Sequence, residues 1–217
     1  MAAVVALALL ASPAHAQEYA YEPTQEPTRA LINPSTAVDM LRKGGFVIFF
    51  RHTTIEHKAS ESESLANLER CETQRNLSPA GRTEATEIGK AFKALGIPVG
   101  NVLTSPLCRC KDVAQLAFGR YTISNDLYFA MNLDASQTRK VTERLRRMLS
   151  TLPQKTTNTI IISHTANLRE AAGIWPKPEG VAYVFRPMPD GRFEAIAKVL
   201  PEEWIKVARQ KQIASPP

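Results

Sequence analysis

Phe46-Val47-Ile48-Phe49-Phe50-Arg51-His52 is the stretch whose reading sets the fold. Gly44-Gly45 marks a turn before it, five apolar residues follow without a break, and an arginine and a histidine then stand side by side. An unbroken apolar run of this length after a turn reads as a strand buried on both faces, as in a parallel sheet. Thr159-Ile160-Ile161-Ile162-Ser163 repeats the pattern, and His164 follows it directly. Helical patterns fill the intervals. Ser35 to Arg42 fits a short helix with Val38 and Leu41 inward. Ser78-Pro79 supplies a cap and a first-turn proline, Ile88, Phe92 and Leu95 form one face, and Gly96 is the stop. Val102-Leu103-Thr104 reads as a short strand, and Ser105-Pro106 as the opening of a helix with Val113, Leu116 and Ala117 inward. Ser136 to Leu152 places Val141, Leu145, Met148 and Leu152 at helical steps. Val181–Arg186 and Phe193–Val199 flank a Pro189-Asp190-Gly191 turn as a hairpin, and Pro201–Gln210 reads as a terminal helix. Residues 53–75 are polar and form a long loop, with one helical stretch at Ser64–Glu69. Strands alternating with helices predict a three-layer α/β/α sandwich with a mostly parallel central sheet.

A chain of 217 residues, 44% hydrophobic and 22% charged, is neither a disordered polymer nor a multi-span membrane protein. It is long enough to bury a large single core without a disulfide or metal. The formal charge of +6 fits a solvated basic surface, an anionic substrate or an anionic envelope surface. It does not point to nucleic acid, because no run of five basic residues and no aromatic-interleaved basic patch occurs. Residues 1–16 contain no Lys, Arg, Asp or Glu and end in Ala14-His15-Ala16, a small-x-small signal-peptidase site. The apolar run is too short for stable membrane insertion. The expectation is a secreted protein in a bacterial periplasm, cleaved near Ala16, with residues 17–34 as an extended lead-in and 35–217 as the domain.

In open α/β sheets, ligands bind beyond the carboxyl ends of the strands. Arg51-His52 lies at one such end, His164 at another, and Thr104-Ser105 at a third, with Arg109 one turn into the helix after it. A phosphate monoester carries close to two negative charges, which Arg51 and Arg109 can bind through charge-assisted bonds. One imidazole can attack phosphorus to form a phosphohistidine. A second, when protonated, can stabilise the equatorial oxygens in the transition state. The helix opened by Ser105-Pro106 would add a favourable dipole. This chemistry needs no metal and no cofactor.

At these residues the sequence resembles the histidine phosphatase superfamily, the phosphoglycerate-mutase-like fold. The matching segments are Phe49-Phe50-Arg51-His52-Thr53, Leu77-Ser78-Pro79-Ala80-Gly81-Arg82-Thr83-Glu84-Ala85, Ser105-Pro106-Leu107-Cys108-Arg109 and Ile162-Ser163-His164-Thr165. They occur in the family's order over roughly residues 35–200. The resemblance implies His52 as nucleophile, Arg51 and Arg109 as phosphate ligands, and His164 as their partner. It is nearest to the secreted bacterial branch, in which Cys-x-x-Gln-Arg-Asn-Leu-Ser, here Cys71 to Ser78, accompanies a cysteine before the phosphate-binding arginine. Thr53 stands where the best-known members have glycine, and its hydroxyl is a candidate phosphate contact. Asn167 is either a second such contact or a helix cap.

The carboxylic acid that would protonate the leaving group has no clear place. Asp126 and Asp134 are the candidates, with loop capping as the alternative, and Glu56 and Glu170 are weaker ones. Thr165 occupies the position where the acid-phosphatase branch has aspartate. His57 reads as exposed loop, Arg75 and Arg82 as a positive rim or a solvated helix end, and Trp175 and Trp204 as packing residues. A Cys71–Cys108 disulfide is expected, leaving Cys110 as a free thiol, with Cys71–Cys110 as the alternative. The expected activity is metal-independent hydrolysis of a small anionic phosphate monoester through phosphorylated His52. A phosphomutase, or a non-catalytic binder of phosphate groups, is the alternative.

Overall fold

A computed structural model describes residues 30–57 and 63–214. The expected signal peptide with its cleavage site near Ala16, and the expected lead-in as far as residue 29, lie outside the described residues.

Six strands form one sheet: β1 (Val47–Arg51), β2 (Val99–Thr104), β3 (Thr122–Ile123), β4 (Asn158–Ser163), β5 (Ala182–Pro187) and β6 (Phe193–Val199). Their order is β3-β2-β4-β1-β5-β6. The three pairings from β3 to β1 are parallel, and β5 and β6 join antiparallel at the far edge. The two apolar runs that announced the fold are therefore central neighbours, with Val47 opposite Thr159 and Arg51 opposite Ser163.

Because successive strand side chains point to opposite faces, each run feeds two cores. Ile48, Phe50, Ile160 and Ile162 face α1 (Pro34–Leu41), α2 (Pro79–Ala94), α3 (Cys108–Phe118) and α6 (Pro201–Ala214). Val47, Phe49 and Ile161 face α4 (Ala135–Ser150) and α5 (Thr165–Ala172), meeting Leu145, Leu149 and Leu168. The result is the expected α/β/α sandwich. Phe50 joins an aromatic cluster in this core: its ring lies 5.9 Å from Phe92 and 6.3 Å from Trp204, and those two rings are 4.8 Å apart between centroids. Full burial of one such side chain contributes about 1.5–3 kcal/mol.

Several boundaries differ from the sequence reading. The helix expected to open at Ser105-Pro106 begins at Cys108, after Leu107, which makes no side-chain cap bond. The Ser105 hydroxyl meets His164 at 2.8 Å and accepts from Leu107 N–H at 3.4 Å, just before the helix. The helical dipole thus starts three residues later than expected. Leu152, expected inward, is 67% exposed. Thr151 turns extended and ends α4 before it, and Leu149 is buried instead. The stretch at 64–69 is only a 3-10 turn at Leu65–Asn67, followed by another at Cys71–Thr73. Ile32, within the lead-in, is part of the fold: its N–H donates to Ile196 O at 2.9 Å and bridges to Ala197.

Candidate active site

Parallel pairing carries β1 and β4 to the same end of the sheet. Beyond the Arg51–Ser163 pair, His52 donates its N–H to Ser163 O at 3.1 Å. The rings of His52 and His164 then lie 5.5 Å apart between centroids. β2 ends beside them, with Ser105 N–H on Ile162 O at 2.9 Å. One strand end thus gathers the two histidines and Ser105, and α3 brings Arg109 to the same place.

The backbone around His52 is held from three sides. Its carbonyl accepts from Gly180 N–H at 2.9 Å, and Arg51 N–H donates to Val181 O at 3.1 Å. The Thr53 hydroxyl donates to Gly81 O at 2.9 Å. That contact commits its proton to the α2 backbone rather than to a ligand. Gly81 is required for the approach, since a Cβ there would sit 2.0 Å from Thr54 O.

His52 Nδ1 lies 3.0 Å from Thr53 O. Because a carbonyl only accepts, Nδ1 carries the proton and the lone pair is left on Nε2. Burial, then the positive charge of Arg109, lowers the His52 pKa to about 3, so the ring is neutral at ordinary pH. His164 is also held neutral, with its pKa well below the usual range, by burial and then by Arg109. Arg109 Nη2 approaches its Nδ1 at 3.4 Å. A guanidinium can only donate, so Nδ1 is the acceptor, and Nε2–H meets Ser105 Oγ at 2.8 Å.

Each of the two arginines is held by a carboxylate. Arg51 Nη2 donates to Glu179 Oε1 at 2.9 Å and Nη1 to Pro176 O at 3.3 Å. Arg109 Nη1 donates to Glu63 Oε1 at 2.6 Å and Nη2 to Glu63 Oε2 at 3.4 Å. Phe129 lies under the Arg109 guanidinium at 5.9 Å. Arg75 closes on the other side of Glu63 through Nη2 at 3.0 Å and its main-chain N–H at 3.1 Å. Burial alone would raise the Glu63 pKa, but the bonds from Arg75 and Arg109 outweigh it and lower the value to about 2. Glu63 is therefore a fixed carboxylate. Among the described residues, Nε of Arg51 and Nε of Arg109 are buried with no acceptor.

Sequence reasoning missed Glu63 and Glu179. Glu63 contacts Arg109 across 46 residues and Glu179 contacts Arg51 across 128, so neither leaves a local pattern. The one available signal was chemical: buried arginines require counter-charges. Of the two arginines read as a positive rim or a solvated helix end, Arg75 is Glu63's second partner and Arg82 pairs with Asp112.

The remaining candidates sit as follows. Asp134 is exposed and caps α4, accepting from Ser136 N–H at 2.8 Å and Gln137 N–H at 2.9 Å. Asp126 lies in a short 3-10 turn, Asn125–Leu127. Asn167 is inside α5 and buried, not at its cap. It donates to Tyr128 O at 2.8 Å and accepts from Ala130 N–H at 3.3 Å, anchoring the loop that carries Phe129. Glu170 pairs with Arg169, and His57 is exposed. Glu56 N–H donates to Asn76 O at 2.9 Å. Trp204 is fully buried, whereas Trp175 is partly exposed, with Arg169 and Lys177 over its ring. Cys71 and Cys108 are bridged, and Cys110 is a buried free thiol 3.7 Å from His164 Nε2. Among the described residues no cluster of His, Cys, Asp and Glu is arranged to hold a metal ion, and no helix is long and apolar enough to cross a membrane.

No protein-family model matches the sequence, and no curated protein matches it significantly. Solved structures do share its architecture. The protein histidine phosphatase SixA, solved with tungstate, matches at a TM-score of 0.52 and 15% identity over 72% of this chain and 97% of that one. A candidate alpha-ribazole-5'-phosphate phosphatase of Escherichia coli matches at a TM-score of 0.51 and 14% identity, over 73% of this chain and 98% of that one. The product of an open reading frame of Mycobacterium tuberculosis matches at 0.50 and 14%, over 72% and 97%. The chain therefore has the fold of the histidine phosphatases.

Proposed function

We propose that the chain is a phosphatase of the histidine phosphatase superfamily, hydrolysing phosphate monoesters through phosphorylated His52. The observation that carries this reading is the pair of buried Nε–H donors, one on Arg51 and one on Arg109, left without acceptors beside two neutral histidines. A buried charged donor without a partner is costly, and an oxyanion satisfies both at once.

The steps follow from the contacts. The phosphoryl oxygens accept from the two Nε–H groups. The Nε2 lone pair of His52 attacks phosphorus, and the bond to the leaving oxygen breaks. Thr53 O, on Nδ1–H, stabilises the positive charge that the phosphorylated ring acquires. The leaving group departs as an oxyanion; water then attacks phosphorus, the P–Nε2 bond breaks, and inorganic phosphate leaves while the water's proton passes to solvent or to the departed oxyanion. Small phosphorylated compounds are the substrate class, and the disulfide supports export to an oxidising compartment.

The test is hydrolysis of p-nitrophenyl phosphate by the purified chain in EDTA, beside His52→Ala. Turnover that persists in EDTA and vanishes in the variant is the expected result. Phosphate binding without turnover would support the second reading, a non-catalytic binder. One observation favours that reading: Glu63, the carboxylate touching Arg109, is held ionised and has no proton to give a leaving group.

A further inference from the structure

We propose that Glu63 is the positioning residue that aims Arg109, gripping the Nη1–Nη2 end of its guanidinium so that the Nε–Nη2 edge faces the phosphoryl group beside His164. The inference rests on the phosphate-site reading above and extends it to a residue outside the motifs.

A guanidinium offers an anion either its end, through Nη1 and Nη2, or its side, through Nε and one Nη. On Arg109 the end is taken. Glu63 accepts from Nη1 at 2.6 Å and from Nη2 at 3.4 Å, and Nη1 also reaches Arg75 O at 3.4 Å. Phe129 covers one face of the group. What remains is the side edge: Nε–H has no acceptor, and the second Nη2–H donates to His164 Nδ1 at 3.4 Å, a long contact that a phosphoryl oxygen on this edge would share. A phosphoryl group docked there lies beside His164 and leaves Glu63 undisturbed.

Glu63 is itself braced. Arg75 donates to it from Nε at 3.2 Å, from Nη2 at 3.0 Å and from its main-chain N–H at 3.1 Å. The Glu63 carbonyl accepts from Tyr128 Oη and, at 3.2 Å, from Asn132 Nδ2. The segment that carries it is tied to α3 by the Cys71–Cys108 bridge and by Cys108 N–H on Gln74 Oε1 at 2.9 Å. Both partners of the Arg109–Glu63 pair are thus fixed to the same frame.

The test compares wild type, Glu63→Gln and Glu63→Asp for p-nitrophenyl phosphate kinetics, inhibition by inorganic phosphate, and thermal melting. In Glu63→Gln, KM and the phosphate inhibition constant rise together by about tenfold, the loss expected for one misdirected hydrogen bond to a charged group, while kcat changes less. Glu63→Asp, which keeps the charge but shortens the reach, falls between. Constants that fall in either variant overturn the proposal, because Glu63 would then occupy the phosphate's own place. Unchanged constants with a lowered melting temperature also overturn it, as a merely structural role. If Glu63→Gln does not fold, Glu63→Asp decides by the same criteria. Wild type that neither turns over substrate nor binds phosphate refutes the underlying site reading, and this inference with it.

Discussion

Arg51 stands opposite Ser163 in the parallel pairing of β1 with β4, and that register makes neighbours of two residues 112 positions apart, His52 and His164. A slip of one residue would send one ring to the far face of the sheet. The apolar runs before each histidine, buried on both sides, fix the register. The core therefore sets the geometry of the site.

Arg109→Lys should lower kcat/KM for p-nitrophenyl phosphate by about 100-fold or more, because removing an aimed donor to the developing charge costs that much. Lysine is a point charge without the side edge that Arg109 offers beside His164. Steady-state kinetics on a variant with a wild-type melting temperature checks this.

Acid should unfold the protein early. His52 has an unfolded value near 6.5 and a folded value of about 3, so within that window the unfolded chain binds the extra proton. Stability is full above pH 6.5 and falls on acidification by about 1.4 kcal/mol per pH unit for each histidine so held. His164 acts in the same direction, and Glu63, lowered from 4.5 to about 2, adds to the loss below pH 4.5. Urea midpoints at pH 7, 5.5 and 4.5 would show the slope, and a flat profile from 7 to 5 would contradict neutral buried rings.

Removing the bridge with Cys71→Ser and Cys108→Ser opens a loop of 37 residues. Chain entropy alone predicts a loss of about 3–4 kcal/mol, measurable as a lower urea midpoint. KM should rise as well, since the segment carrying Glu63 loses its covalent tie to α3 and keeps the hydrogen bond from residue 108 N–H to Gln74 Oε1.

Cys110 should be inert in the folded chain. Burial pushes its thiol up to about 12, so almost no thiolate is present at pH 8. Iodoacetamide should label no cysteine in the native, non-reduced protein and one after unfolding. Rapid native labelling would mean that α3 opens locally.

The sandwich, the strand ends and the gathering of the candidate residues Arg51, His52, Arg109 and His164 at one end of the sheet were legible because they rest on short-range signals: unbroken apolar runs and polar residues next to them. β3, at two residues, is too short to leave a period, and Ser105-Pro106 imitated a helix start while its hydroxyl served His164. Asn167, read as either a phosphate contact or a helix cap, is a buried strut for the loop after Tyr128. The two carboxylates stayed invisible for a different reason. Charge neutralisation between remote segments is a property of the folded chain, and no window of sequence contains both partners.

Those ion pairs have a consequence for how an anion finds the site. Arg51, Arg75 and Arg109 face Glu63 and Glu179, and with both histidines neutral the cluster keeps a single net positive charge. The ion pairs thus leave one unpaired charge at the site, beside the +6 of the whole chain. What the cluster retains is directional: two buried N–H groups, Nε of Arg51 and Nε of Arg109, without acceptors. On the proposed phosphate-site reading, what these two donors select is an oxyanion whose shape matches their placement.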